Sequence, residues 1–214
     1  GSVWWVEGED WRCTVAVPVL TPPAIEAANG GDFDDWLDRP YLFHYRGNGA
    51  KRPVGGSAEL HDMFQAIGGV YPPEKVVISA DHVTREKYGD ELTKSKFCIV
   101  IRGDDPQRSR FNDAVAAGCI PVLINDGWGL AANPFDDWLD YSKFTVSIPE
   151  RMFMTHAPSS LFFAYGLPRR KLEKMYEKLL EARPYICWGL AAGPRESVGY
   201  LVWEHINDYC DVDS

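Results

Sequence analysis

Two short apolar runs, separated by one amphipathic stretch, constrain this chain most. Residues 97–101 read Phe-Cys-Ile-Val-Ile, and residues 120–124 read Ile-Pro-Val-Leu-Ile. Both are partly β-branched and bounded by turn residues, a pattern that suits strands buried on both faces of a parallel sheet. Between them Phe111, Ala114, Val115 and Gly118 recur at i, i+3, i+4 and i+7. That spacing marks one face of a helix, with Gly118 as its C-terminal stop. Strand, helix and strand in under about thirty residues form a βαβ unit. Cys98 and Cys119 mark its adjoining strands and are expected close in space, a bond between them being a matter of geometry.

The alternation extends outward in both directions. Residues 41–45 and 75–79 read as strands, and residues 58–67 and 86–92 as helices. A short helix is expected at 135–139 and a strand at 144–148. Residues 172–182 form a helix with Leu172, Met175, Tyr176 and Leu179 on one face, and residues 198–209 form a final helix. Strands alternating with helices predict an α/β fold with a single doubly wound, mostly parallel sheet. The hexapeptide at 33–38, Phe-Asp-Asp-Trp-Leu-Asp, recurs at 135–140. It reads as two similar helix starts, with acidic residues at the positive end of the dipole and Phe, Trp and Leu packed inward. Gly1 and Ser2 read as a tag remnant, residues 1–12 as a lead-in segment, and residues 13–214 as one domain.

Composition bounds the partners. The chain has 214 residues, 45% of them hydrophobic and 25% charged, which suits an ordinary globular protein with a core of its own. No apolar run has transmembrane length and no signal-peptide pattern is present, so any targeting segment is expected to lie outside these residues or not to exist. The net charge of -9 repels nucleic acid and anionic membranes, so nucleic acid is not expected as a partner. An anionic ligand then needs a local cationic pocket. Five cysteines show no metal-type spacing. The histidines, at 44, 61, 82, 156 and 205, show no nucleophile or metal spacing and read as structural or surface residues. Asp32-Phe33-Asp34 and Asp211-Val212-Asp213 have the Asp-x-Asp form that an Asp-rich chain produces by chance. No metal site is expected.

In open α/β sheets, ligands bind beyond the carboxyl ends of the strands. After the strand at 97–101 comes Arg102-Gly103-Asp104-Asp105-Pro106-Gln107-Arg108-Ser109-Arg110, three arginines in nine residues of an acidic chain. They stand before a helix N-terminus, where backbone N–H groups and the dipole favour phosphate. Ser109 caps that helix or offers its hydroxyl to a phosphate oxygen. Arg110 and Asp113, three apart, share a helix edge, a cation for a diphosphate beside a carboxylate for ribose hydroxyls. The alternative on these residues alone is a solvated loop with an Arg–Asp surface pair. A second strand end, Tyr45-Arg46-Gly47-Asn48-Gly49, offers Arg46 and a glycine backbone that a ligand can approach closely, or an ordinary turn. A third, Asn125-Asp126-Gly127-Trp128, offers Asp126 and an aromatic ring, or again a plain turn.

Taken together, Ser95-Lys96-Phe97-Cys98, Arg102-Gly103, Ser109-Arg110-Phe111, Asp113-Ala114 and Ala117-Gly118-Cys119-Ile120-Pro121-Val122 resemble the exostosin signature in order and spacing. Residues 125–130 followed by Pro134-Phe135 resemble that family's next turn, and Arg39-Pro40-Tyr41-Leu42-Phe43 with Arg46-Gly47 its earlier strand. The resemblance covers about residues 13–150. Ala131-Ala132-Asn133 is an apparent insertion, and Asp113 stands where many relatives have Glu.

The resemblance implies the C-terminal, Rossmann-like domain of a GT-B glycosyltransferase of the Golgi lumen or secretory pathway, active in polysaccharide biosynthesis. It implies a nucleotide-sugar donor, UDP-linked, and a glycan acceptor held by a separate domain or subunit. The donor would be held by Arg46, Gly47, Arg102, Gly103, Arg108, Ser109, Arg110, Asp113 and Asp126, without a cofactor or metal. The arginines would stabilise the departing diphosphate. The catalytic base is expected across the cleft, outside this chain. The alternative is a non-catalytic nucleotide-sugar or glycan-binding module of the same fold.

Overall fold

The computed structural model describes residues 31–46, 70–79, 81–101, 109–124, 134–135, 138–188 and 198–209, together with Ile25 and Ile67. The first helix, α1 (Phe33–Leu37), opens on a capping box. The Asp32 carboxylate accepts from Asp35 N at 2.9 Å, and the Asp35 carboxylate accepts from Asp32 N at 3.0 Å. Two of the helix's otherwise unpaired donors are thereby satisfied. Trp36 is buried, Phe33 and Leu37 pack against the core, and the Trp36 indole donates to Lys96 O at 3.1 Å.

Five strands follow the expected alternation. They are β1 (Tyr41–Arg46), β2 (Val76–Ser79), β3 (Ser95–Ile101), β4 (Ile120–Ile124) and β5 (Val146–Ile148). They form one sheet in the order β2-β1-β3-β4-β5, and every described pairing is parallel. Such a sheet must be covered on both faces. Phe43 and His44, consecutive in β1, therefore meet different layers. Phe43 packs on Tyr71 and Tyr165, whereas His44 packs edge-on to Tyr88.

The helices between and after the strands are α2 (Arg85–Thr93), α3 (Ser109–Ala116), α4 (Glu150–Ser160), α5 (Phe162–Tyr165), α6 (Arg169–Ile186) and α7 (Val198–Tyr209). The long helix α6 buries Leu172, Met175, Tyr176 and Leu179, the face that their spacing predicts. It packs on α1, α3 and β4.

Two segments differ from the sequence reading. The described residues of 135–139 form a turn rather than a helix. Phe135 has φ 56°, outside the right-handed helical region, and its carbonyl accepts from both Trp138 N (3.0 Å) and Leu139 N (2.7 Å). The strand expected from 144 starts at Val146, because Tyr141–Lys143 close a 3₁₀ turn capped by Asp140. The helix expected at 58–67 lies outside the described residues except for Ile67, which is helical and buried.

Candidate functional site

The strand order fixes where a ligand crevice can form. From β1 the chain moves to β2 on one side, then returns to place β3 on the other, so the order reverses between β1 and β3. Ligands of open α/β sheets bind at that reversal, outside the carboxyl ends of the two strands. Arg46 is the last residue of β1 and Ile101 the last of β3, while Ser109 opens α3. Of the residues that the sequence places here, Arg46, Ser109, Arg110 and Asp113 are described. Gly47, Arg102, Gly103, Arg108 and Asp126 lie outside the described residues.

Helix α3 is aimed by its far end. Gly118 adopts φ 64°, Gly118 N donates to Val115 O at 3.0 Å, and Cys119 N donates to Ala114 O at 2.9 Å. This is the Schellman arrangement, in which a left-handed glycine reverses the chain. Two buried arginines then close the remaining carbonyls. Arg39 donates from Nη1 to Ser95 O and Gly118 O, both at 2.8 Å, and from Nη2 to Ala117 O at 3.1 Å. Arg183 donates to Ala116 O at 2.5 Å. Cations at the negative end of the helix suit its dipole. Cys98 of β3 is disulfide-bonded to Cys119, with Cα atoms 5.7 Å apart. The helix is thus held at its base, with its N-terminal turn at the carboxyl edge of the sheet.

On that turn, the Arg110 guanidinium lies over the Tyr45 ring, 5.5 Å from its centroid. One turn on, Asp113 is only 6% exposed. Its Oδ2 accepts from the Tyr88 hydroxyl at 3.1 Å, and its Oδ1 is buried with no hydrogen-bond partner among the described residues. Burial pushes the Asp113 carboxyl up to about 6, against the hydrogen bond from Tyr88 and the nearby Arg110 charge. Sequence reading sets Arg110 and Asp113 on one helix edge as separate ligand contacts, with an Arg–Asp surface pair as the alternative. The hydrogen bond to the Asp113 carboxylate comes from Tyr88, with the Arg110 charge nearby.

Arg46 is engaged by protein groups. Its Nε and Nη2 bind the two carboxylate oxygens of Glu91 at 2.5 and 2.7 Å, and Nη1 donates to Asp81 O at 3.1 Å. Burial works to raise the Glu91 carboxyl, but the two hydrogen bonds from Arg46, with His44 close by, outweigh it and hold Glu91 at about 2. Burial also lowers His44, whose Nε2 lies 3.5 Å from Glu91. The residues that sequence reasoning missed are therefore Tyr88 and Glu91 of α2. They lie three apart on the helix face that also buries Leu92, and this i, i+3, i+4 spacing was the available signal. Together they tie the end of β1 to the first turns of α3.

The described residues contain no group of three or more His, Cys, Asp or Glu side chains that could hold a metal ion. No described helix is long and apolar enough to cross a membrane.

Comparison with known proteins agrees with the motif reading. The Exostosin GT47 domain profile matches residues 11–159, more than half of the chain. An Exostosin-1 homolog of Caenorhabditis elegans is 33% identical over 110 residues, which are 51% of this chain and 27% of that protein. Exostosin-2 of Bos taurus is 35% identical over 88 residues, 41% of this chain and 11% of that protein. A probable arabinosyltransferase of Arabidopsis thaliana is 29% identical over 114 residues, 52% of this chain and 24% of that protein. The chain spans about a quarter or less of the length of these relatives. By the extent of the profile match, which covers more than half of its residues, the chain belongs to the exostosin GT47 family.

Proposed function

We propose that this chain is the donor-holding domain of a glycosyltransferase, binding a UDP-linked sugar by its diphosphate over the carboxyl ends of β1 and β3. The observation that carries the reading is Asp113: a buried carboxylate whose Oδ1 has no donor among the described residues, one turn from Arg110 at the strand-order reversal. A buried acceptor without a partner is costly, and a ribose hydroxyl supplies the donor it lacks. Arg110 is assigned to the diphosphate, with Arg102, Arg108 and the N–H groups opening α3 beside it. Gly47, Gly103 and Asp126 are assigned to the crevice wall and Ser109 to a phosphate oxygen. Arg46, neutralised by Glu91, shapes the floor more than it adds net charge.

In the transfer, the bond between the anomeric carbon and the diphosphate oxygen breaks, and the acceptor hydroxyl oxygen forms the new bond. Negative charge develops on the departing diphosphate, where the arginines lower its energy. The acceptor's proton passes to a base on a separate acceptor-binding domain or subunit. The match to the Exostosin GT47 domain and the name of one relative, a probable arabinosyltransferase, support a sugar transferase; its acceptor is assigned as a glycan. A Golgi or other secretory-pathway location is supported by the Cys98–Cys119 disulfide, since such bonds persist in oxidising compartments.

Calorimetry with UDP in the presence of a chelator tests the site. The wild-type chain is expected to bind, and Arg110→Ala to bind about ten- to a hundredfold more weakly, with only the small fall in melting temperature that loss of its contact with Tyr45 brings. Unchanged affinity in folded Arg110→Ala protein sinks the site, and binding abolished by the chelator sinks its metal-free character. Hydrolysis of a panel of UDP-sugars separates a transferase from a module that only binds.

A further inference from the structure

The 3₁₀ turn before β5 and the last turns of α6 enclose a cleft of about 750 Å³, within the roughly 300–1,000 Å³ range of small-molecule sites. It lies toward the amino end of the sheet. Its wall includes Phe144, just before β5, and the part of α6 from which Arg183 reaches Ala116 O below β4. The carboxyl ends of β1 and β3, where the donor site is proposed, are at the opposite end of the parallel sheet.

The lining combines flat aromatic surface with paired charges. Trp138 lies nearly parallel to Phe135, at 5.7 Å and 11°, and is 43% exposed; Tyr185, from α6, is 38% exposed. Four charged side chains share the lining, as two neutral pairs. Lys178 Nζ meets Glu181 at 2.5 Å, and Lys143 Nζ meets Asp140 at 3.5 Å.

These features discriminate among ligand classes. A purely apolar ligand would cover four charged groups without replacing their water contacts. A phosphate or sulfate would meet ammonium groups already matched by carboxylates, and no arginine is present among the described lining residues. A sugar satisfies both halves of the lining. Its C–H face packs on an indole or phenol ring, and its hydroxyls donate to carboxylates and accept from ammonium groups. We propose that this cleft is a second carbohydrate site, taking a neutral oligosaccharide on Trp138 and Tyr185, remote from the donor crevice. It stands apart from the donor reading, since either site can bind its ligand while the other does not.

The test is saturation-transfer NMR and calorimetry on the full chain with cellotetraose, xylotetraose and the anionic tetragalacturonate, run beside UDP. At least one neutral tetrasaccharide is expected to bind. Trp138→Ala is expected to weaken it tenfold or more, Tyr185→Ala severalfold, and neither to change UDP affinity. Melting curves identify any variant that fails to fold, and Lys178→Ala, at an exposed position, then supplies the readout by weakening the saccharide. Binding of none of the three, preference for tetragalacturonate, or saccharide affinity unchanged in folded Trp138→Ala each overturns the proposal. So does a Trp138→Ala chain that changes only in oligomeric size, which would make the cleft a contact between copies.

Discussion

Asp113 sits where solvent is nearly excluded, accepts one hydrogen bond from Tyr88, and keeps a second oxygen without a donor among the described residues. Its carboxyl is pushed up to about 6 from an ordinary 3.8, chiefly by burial. Between these values the folded chain holds the proton more tightly than the unfolded chain. Stability therefore falls as pH rises from about 4 to about 6 and stays reduced above that. At ~1.4 kcal/mol per pH unit the deficit at pH 7.5 is about 3 kcal/mol. Asn has the same shape and does not ionise. Asp113→Asn is therefore expected to raise the melting temperature at pH 7.5, with the gain shrinking as pH falls through 6 and gone near 4. The same variant should bind UDP about tenfold more weakly, because a charge-assisted acceptor is lost. Thermal melts at three pH values and one calorimetric titration check both. A stability difference independent of pH would mean that the carboxylate is not strained in the fold.

Helix α3 shows how an element can be polar in purpose along its length. Its N-terminal turn carries Ser109 and Arg110 at the carboxyl edge of the sheet, and its C-terminal carbonyls are closed by Arg39 and Arg183. Arg39→Met keeps the stem and removes three hydrogen bonds to buried carbonyls. The loss is expected to be on the order of 3–5 kcal/mol by urea denaturation; a loss under about 1 kcal/mol would show those carbonyls satisfied otherwise. The legible parts of the fold have the same local logic. The β3–α3–β4 unit is readable because its apolar periodicity is local and Gly118 ends its helix. Residues 135–139 looked like α1 because they repeat its sequence, but Phe135 takes a left-handed conformation that no local pattern announces. Helix α4, which contains Pro158, and the four-residue α5 gave no helical periodicity to read. At the site, Arg110 and Asp113 could be proposed from their spacing. The roles of Tyr88 and Glu91 depend on contacts with α3 and β1 across the sheet face, which a one-dimensional pattern does not contain.

At the scale of the whole molecule, the sheet is built from crossovers, so no strand pairs with a neighbour close in sequence. Each parallel contact closes a long loop, and the chain bears that entropy on folding. The Cys98–Cys119 bond shortens the cost where β3 meets the head of β4, in the middle of the five strands. It spans 21 residues, and chain-entropy arguments assign such a loop about 3 kcal/mol. Against a typical total of about 5–15 kcal/mol for a domain, that is a large share. The double variant Cys98→Ala with Cys119→Ala is expected to lose about that much, seen as a lower urea midpoint than the oxidised wild type. Reduced wild type should shift in the same direction. UDP affinity should be unchanged in variant chains that remain folded, because the bond lies toward the amino end of β4 and the crevice at the carboxyl ends. A midpoint unmoved by either change would mean that the sheet's own packing holds β3 to β4. A loss of UDP binding in a folded variant would mean instead that the bond sets the aim of α3, through Gly118 and the carbonyls that Arg39 grips.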